Sequence, residues 1–117
     1  VVADAMERDV AALAQEQALA PGYERLLQSP QEAFPVIDLE GRPVGLLTRA
    51  ALSTVFSGDW QGRPIASLPY DRPRTIAQAT PLDQAIVTLA AGEGPLLAVD
   101  SMGRLVGLLT RGAFARA

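Results

Sequence analysis

The sequence predicts an α+β fold made of two similar halves that pack face to face. Residues 38–52 read DLEGRPVGLLTRAAL, and residues 100–114, which lie 62 positions later, read DSMGRLVGLLTRGAF, so that ten of fifteen aligned positions are identical. Each copy is too short to bury a core alone, which favours packing of one copy against the other. The composition agrees, because 117 residues that are 49% hydrophobic and 20% charged suffice for one packed unit. We predict a β-α-β-β-α order in each half, with repeat 1 at residues 1–58 and repeat 2 at residues 59–117.

The first quarter of the chain has the weakest pattern. We predict a helical turn over residues 2–6 and, by comparison with the second half, a first strand over residues 10–13. A helix is predicted to begin at Pro21, because proline suits a first helical turn, and to end by Ser29 and Pro30.

A β-hairpin and a helix complete the first half. The apolar runs 34–38 and 44–48 flank Gly41, which suits a turn that needs a left-handed residue. Residues 49–56 then have the apolar spacing of a helix, and Ser57 and the glycine after it end that helix.

The second half repeats this order with a clearer helix. A strand is predicted over residues 74–77, and Thr80 is predicted to cap a helix whose first residue is Pro81. One apolar stripe follows at helical spacing, formed by Leu82, Ala85, Ile86, Leu89 and Ala90. The strands 96–100 and 105–110 form the second hairpin, and a last helix is predicted from Arg111.

The composition excludes several classes of function. Cysteine and histidine are absent, so that thiol nucleophiles and the commonest metal ligand and general base are missing, and we expect neither an enzyme nor a metal site. A net charge of −3 with six aromatic side chains argues against nucleic acid as a partner. No apolar run is long enough to span a membrane, so we expect no direct membrane insertion of this chain. All ten cationic residues are arginines, which suggests a bacterial origin.

The segments FPVIDLEGRPVGLLTRAAL and LLAVDSMGRLVGLLTRGAF resemble the hallmark of cystathionine-β-synthase (CBS) domains, and TPLDQAIVTLA resembles the opening of that family's helix. The resemblance covers essentially the whole chain as a tandem pair. It implies two pseudo-twofold-related repeats, packed sheet to sheet, with clefts between them. In many members such clefts bind adenosine-containing ligands, so that AMP, ADP, ATP or S-adenosylmethionine are the ligands it suggests.

The resemblance also implies a set of ligand-binding residues: Phe34, Pro35, Thr48, Arg49, Thr80, Leu96, Leu97, Thr110 and Arg111. Helix capping remains an alternative for the threonines, and a solvated helix face remains one for the two arginines. Nucleotide-binding members end this strand in Thr-x-x-Asp or Ser-x-x-Asp, whereas Ala51 and Ala113 replace the aspartate here. A basic residue often precedes the apolar strand in the family, whereas this chain has Glu32-Ala33 and Gly94-Pro95.

Two functions remain open from the sequence. One is a regulatory module that senses an adenine nucleotide or similar ligand weakly and modulates an attached effector. The alternative is a ligand-free dimerisation or assembly module of a membrane metalloprotease, channel or transporter. Either function predicts a homodimer and an effector domain in the parent chain. The segments AFPVID and GLLTR resemble the C-terminal module of bacterial site-2-type membrane zinc metalloproteases. This resemblance implies a cytoplasmic location, for instance as the cytoplasmic domain of a membrane protein.

Overall fold

A computed structural model describes residues 1–60 and 62–112. Its elements follow one order in both halves of the chain. They are α1 (Val2–Ala5), β1 (Leu13–Ala14), a 3₁₀ helix (Pro21–Gln28), β2 (Ala33–Ile37), β3 (Pro43–Thr48), α2 (Arg49–Ser57), a short 3₁₀ helix (Ile65–Ser67), β4 (Thr75–Ala77), α3 (Leu82–Ala90), β5 (Leu96–Val99) and β6 (Leu105–Leu109). Residues 111 and 112 begin a further helix, as predicted, and the rest of that predicted helix lies outside the described residues.

The strands form two sheets with the same topology. The first has the order β1-β2-β3 and the second the order β4-β5-β6. In each sheet the first pair is parallel and the second pair is an antiparallel hairpin with one irregularity near its turn. The α+β class and the duplicated architecture that the sequence predicts are therefore confirmed.

The two hairpin turns share an aspartate, a glycine and an arginine at equivalent positions. Asp38 accepts hydrogen bonds from the backbone N–H groups of Glu40 and Arg42, and Asp100 accepts the equivalent bonds from Met102 and Arg104. The backbone bond from Arg104 holds the pKa of the Asp100 carboxyl below its usual range, with further contributions from Met102 and the Arg104 side chain. Gly41 and Gly103, the glycines of the two turns, have φ of 80° and 83°, a conformation that favours glycine over any other residue. The role of Asp38 and Asp100 is therefore to stabilise the hairpin turns.

The sheets pack against each other through a small apolar layer. Ala33 and Leu46 of the first sheet contact Leu97 and Leu108 of the second, and all four are at most 8% exposed. The turns also meet, since Leu105 donates its backbone N–H to the Gly41 carbonyl at 2.9 Å. The sheet-to-sheet arrangement of the two repeats is therefore present in the structure.

Each sheet is covered on its outer face by a segment from the other half of the chain. Val2 and Met6 belong to the core of the second sheet, with Leu96 and Leu109 among their neighbours. Conversely, Ile65 and Leu68 belong to the core of the first sheet, and Trp60 and Tyr70 pack against that core. Each half therefore completes the core of the other, and the boundary between repeats at residue 58 stays a prediction.

We call the segments that come from the other half of the chain the crossing segments; one contains Met6 and the other contains Tyr70. Gly107 and Gly45 allow these segments to approach the sheets. A Cβ on Gly45 would lie 2.0 Å from Cδ1 of Tyr70, and a Cβ on Gly107 would lie 2.6 Å from the Met6 sulfur. The crossing segments then pair with the strands, because Asp71 and Leu46 exchange backbone bonds at 2.8 and 2.9 Å. Both strand glycines therefore serve the close packing of another segment on the sheet.

Three expectations for the elements are corrected. The first strand is Leu13–Ala14 and begins later than predicted, because the backbone N–H and carbonyl of Ala11 are bonded to the Gln31 side chain instead of a strand. Thr80 does not cap α3, whose N-cap is Pro81 without a side-chain hydrogen bond. Ile86 is 49% exposed, so that the buried stripe of α3 is narrower than predicted.

Candidate functional site

The candidate site is a cavity of about 300 Å³ to which both repeats contribute. We call it the inter-repeat cleft. It is lined by Glu32, Ala33, Leu46, Thr48, Asp71, Arg72, Arg74, Glu93, Gly94 and Pro95. This volume lies at the lower end of the range for small-molecule sites.

The segments that precede the strands build the walls. Glu32 and Ala33 stand where β2 begins, and Gly94 and Pro95 stand immediately before β5, so that the equivalent positions of the repeats face the same cavity. Asp71 and Arg72 belong to the crossing segment that pairs with β3. The cleft therefore depends on the glycine-mediated approach of that segment to the sheet.

Thr48 lies in the cleft and also caps a helix. Its Oγ1 accepts a hydrogen bond from the backbone N–H of Ala51 at 3.1 Å, which confirms the capping role for this residue. Thr48 is exposed, and its hydroxyl hydrogen remains available to a ligand. Ala51 offers only a methyl group at the position where the resemblance leads one to look for a carboxylate.

Arg49 holds the end of the first 3₁₀ helix. Its guanidinium donates to the carbonyl oxygens of Leu27 and Ser29, and at 3.0 Å to that of Gln31. A guanidinium at the carbonyl end of a helix satisfies acceptors that the helix leaves open. Arg49 is half-buried and bonded to carbonyl groups, so the solvated helix face that the sequence left open does not describe it, and ligand binding by Arg49 stays a prediction.

In the second half of the chain, two arginines donate to the carbonyl groups at and after the end of a helix. Arg74 donates to the carbonyls of Thr88, Leu89 and Gly94, and Arg111 donates to those of Leu89 and Gly92. Gly92 leaves room for Arg74, since a Cβ there would lie 2.7 Å from its Nη1. The Nε of Arg74 is buried without a hydrogen-bond partner among the described residues. Arg74 therefore connects the cleft to the carboxyl end of α3.

The other predicted ligand residues lie beside the cleft. Phe34, Leu96 and Leu97 are completely buried, and the cavity is lined by Ala33 and Pro95, which precede them in the chain. Pro35 is also buried, in β2. Ligand contact by these four residues stays a prediction.

The two remaining predicted threonines differ from each other. Thr110 is 7% exposed, and Thr80 is half-buried near the amino terminus of the chain, where its carbonyl accepts the backbone N–H of Val2 at 2.8 Å. Neither residue lines the inter-repeat cleft.

Sequence reasoning missed Asp71, Arg72, Arg74 and Glu93 as cleft residues. A signal was present in PYDRPR at residues 69–74, where charged residues alternate with prolines directly before β4. Such a segment cannot continue a helix and places polar side chains at the end of a sheet.

Within the described residues, no helix is long and apolar enough to cross a membrane. Over the same residues, no group of three or more acidic side chains is arranged to hold a metal ion.

Two sheets of this topology, packed through a thin apolar layer with a cleft built from the segments before equivalent strands, define the fold of a tandem CBS-domain pair. Known structures support this assignment. The CBS-pair protein CBSX2 from Arabidopsis thaliana is 24% identical with a TM-score of 0.79, and the alignment covers 98% of this chain and 91% of that one. CBSX2 in complex with AMP matches with a TM-score of 0.75.

Two further structures show the same fold. The CBS domain pair of protein MJ0100, in complex with 5′-methylthioadenosine and S-adenosyl-L-methionine, is 18% identical with a TM-score of 0.75, over 99% of this chain and 93% of that one. Protein MJ1004 from M. jannaschii is 17% identical with a TM-score of 0.83 over 98% of this chain, which spans 57% of that protein. No protein-family model and no curated protein matches the sequence.

Proposed function

We propose that this chain is a non-catalytic regulatory module of a larger protein, which binds an adenosine-containing ligand in the inter-repeat cleft and modulates an attached effector. The observation that carries the proposal is a cavity lined by equivalent positions of both repeats, Ala33 from one and Pro95 from the other. A ligand that bridges these walls favours one relative position of the repeats, which an attached domain can sense. The structures of CBSX2 with AMP and of MJ0100 with S-adenosyl-L-methionine support an adenosine-containing ligand.

We expect the binding to be weak. A carboxylate that accepts both ribose hydroxyls contributes about 2 to 3 kcal/mol, and its replacement by Ala51 removes roughly one to two decades of affinity. Thr48 still provides a hydroxyl, and the apolar side chains of Ala33, Leu46 and Pro95 provide a surface for a flat ring.

Isothermal titration calorimetry tests this function with adenosine, AMP, ADP, ATP and S-adenosylmethionine. We expect at least one dissociation constant in the range of about 10 μM to 1 mM. Thr48→Val, which removes the cleft hydroxyl and keeps the side-chain shape, should weaken binding further, whereas Thr54→Val on the exposed face of α2 should not. Absence of binding for all five compounds at millimolar concentration would contradict the proposal.

The alternative function is assembly without a ligand, and one surface favours it. Val87 is 69% exposed and Ile86 is 49% exposed on α3, next to a groove of about 270 Å³ lined by Ile86, Leu89, Ala90 and Arg111. Exposed apolar helix surface of this kind suits contact with a second copy of the chain. We therefore propose that the chain forms a homodimer through α3.

Sedimentation velocity tests the homodimer. Val87→Glu is expected to convert the dimer to a monomer, because it would bury a carboxylate in an apolar contact. Leu39→Glu is the matched control, since Leu39 is 82% exposed on a hairpin turn and should leave the dimer intact. A parent protein that sediments as a monomer at high concentration would contradict assembly.

For the effector, we propose a bacterial site-2-type membrane zinc metalloprotease with this module in the cytoplasm. The support is the resemblance of the segment AFPVID, in the first hairpin, and of the segment GLLTR, which occurs in both hairpins. The parent gene tests it, because such a protease carries the His-Glu-x-x-His zinc motif on a membrane-spanning helix. A parent without that motif would contradict this effector.

A further inference from the structure

We infer that the inter-repeat cleft selects a nucleoside whose substituent carries a positive charge and disfavours one that carries phosphate. This inference rests on the proposed function and adds the charge of the ligand to it. It follows from which charged side chains line the cleft and from how each of them is already engaged.

Carboxylates dominate the lining. Glu32, Asp71 and Glu93 all line the cavity and are exposed, and they come from three different segments of the chain. Among the described residues no salt bridge joins any of them to an arginine, because the two salt bridges there involve Asp4 and Asp100. The three carboxylates therefore keep their charge available to a ligand.

Two arginines, Arg72 and Arg74, also line the cleft, but the positive charge that they offer a ligand is reduced by the bonds of Arg74. Arg74 donates to the Thr88, Leu89 and Gly94 carbonyls at 3.0, 3.4 and 2.6 Å, and two of these carbonyls belong to the last turn of α3. The carboxyl end of a helix carries partial negative charge, which offsets the guanidinium. These bonds engage three of the five N–H groups of the guanidinium, and a fourth, on Nε, is buried. Of the two arginines that line the cavity in the described part of the chain, Arg72 is the exposed one.

The shape of the cavity determines where a charged substituent must lie. A cavity of about 300 Å³ is filled by a ligand of nucleoside size. The apolar contacts available to a flat ring are Ala33, Leu46 and Pro95. Because Glu32 adjoins Ala33 and Glu93 lies two positions before Pro95, a substituent on the ribose stays near carboxylates whichever wall the ring contacts. A phosphate, with a charge of about −2 near neutral pH, is repelled there, and a cation is attracted.

Two matched ligand pairs test the inference by titration calorimetry. S-adenosylmethionine and S-adenosylhomocysteine differ in one methyl group and the sulfonium charge, and the methionine derivative should bind about tenfold more tightly. Adenosine and AMP differ only in phosphate, and adenosine should bind at least as tightly as AMP. The preference for the cation should fall as the salt concentration rises, since exposed charges are screened.

Two substitutions connect the preference to the cleft. Glu32→Gln and Glu93→Gln are each expected to weaken S-adenosylmethionine binding by about threefold to tenfold and to strengthen AMP binding. Glu40→Gln, on an exposed hairpin turn, is the matched control and should change neither affinity. Because these glutamates are exposed, we expect each variant to keep the stability of the original chain, and thermal unfolding checks this.

The outcomes separate this inference from the proposed function. Tighter binding of AMP than of adenosine, or equal binding of the sulfonium and thioether ligands, would overturn the charge preference while the nucleoside-binding function stands. An unchanged preference in both glutamine variants would overturn its assignment to this cleft. Binding of ADP or ATP with no binding by any of these four ligands would overturn this inference and leave the proposed function standing. No binding by these four ligands or by ADP and ATP would overturn both together.

Discussion

Replacing Gly45 with alanine is expected to lower the free energy of unfolding by about 3 kcal/mol, at the upper end of the range for overpacked sites. The new Cβ would lie 2.0 Å from Cδ1, 2.5 Å from Cε1 and 2.7 Å from Cγ of Tyr70, so that the whole ring must move. Tyr70 cannot move alone, because the next residue, Asp71, is bonded to Leu46 through its backbone. The variant should therefore also lose the wall of the inter-repeat cleft that Asp71 and Arg72 form.

Urea denaturation measures the loss of stability, and a double-mutant cycle assigns it to one contact. Tyr70→Ala alone removes part of the packing on the first sheet, but adding Gly45→Ala to it should then cost less than about 1 kcal/mol, because the clash is gone. If Gly45→Ala lowers stability equally in both backgrounds, the crossing segment does not lie on β3 as described.

The architecture could be predicted because its signals are local and occur twice. The repeated Asp-x-x-Gly turns and the apolar strands on either side of them specify the hairpins, and α2 and α3 have helical apolar spacing. The crossing segments could not be predicted. Met6 and Tyr70 differ in chemistry, so the sequence does not relate them. In the structure they are equivalent, because Met6 packs on Gly107 and Tyr70 packs on Gly45.

The candidate site could be predicted only in part. Thr48 and the pairs Glu32-Ala33 and Gly94-Pro95 lie in the cleft because they flank strands that the sequence specifies well. Residues 71–74 were missed because their position depends on long-range packing rather than on periodicity. Arg49 and Arg111 are identical in the sequence repeat, but whether an arginine contacts solvent, ligand or carbonyl groups depends on neighbours that are distant in sequence.

The sequence repeat alone predicts equal roles for Arg49 and Arg111, whereas the structure predicts unequal ones. Arg49→Met should lower the free energy of unfolding by about 3 kcal/mol, because it removes charged hydrogen bonds to the Leu27, Ser29 and Gln31 carbonyls, which are part-buried. Arg111→Met should cost about 1 kcal/mol or less, since its acceptors lie at 3.4 and 3.2 Å and one of them, the Leu89 carbonyl, also receives a bond from Arg74.

Methionine keeps the apolar stem of arginine and removes the guanidinium, so that the comparison isolates the hydrogen bonds. Urea denaturation should show a lower midpoint for Arg49→Met with an unchanged slope, because the folded state remains compact. Arg25→Met, at an exposed position of the 3₁₀ helix that Arg49 holds, should change stability by less than about 0.5 kcal/mol. Equal losses for Arg49→Met and Arg111→Met would mean that Arg74 does not share the carboxyl end of α3, and the description of Arg74 as the connection between that helix and the cleft would then be wrong.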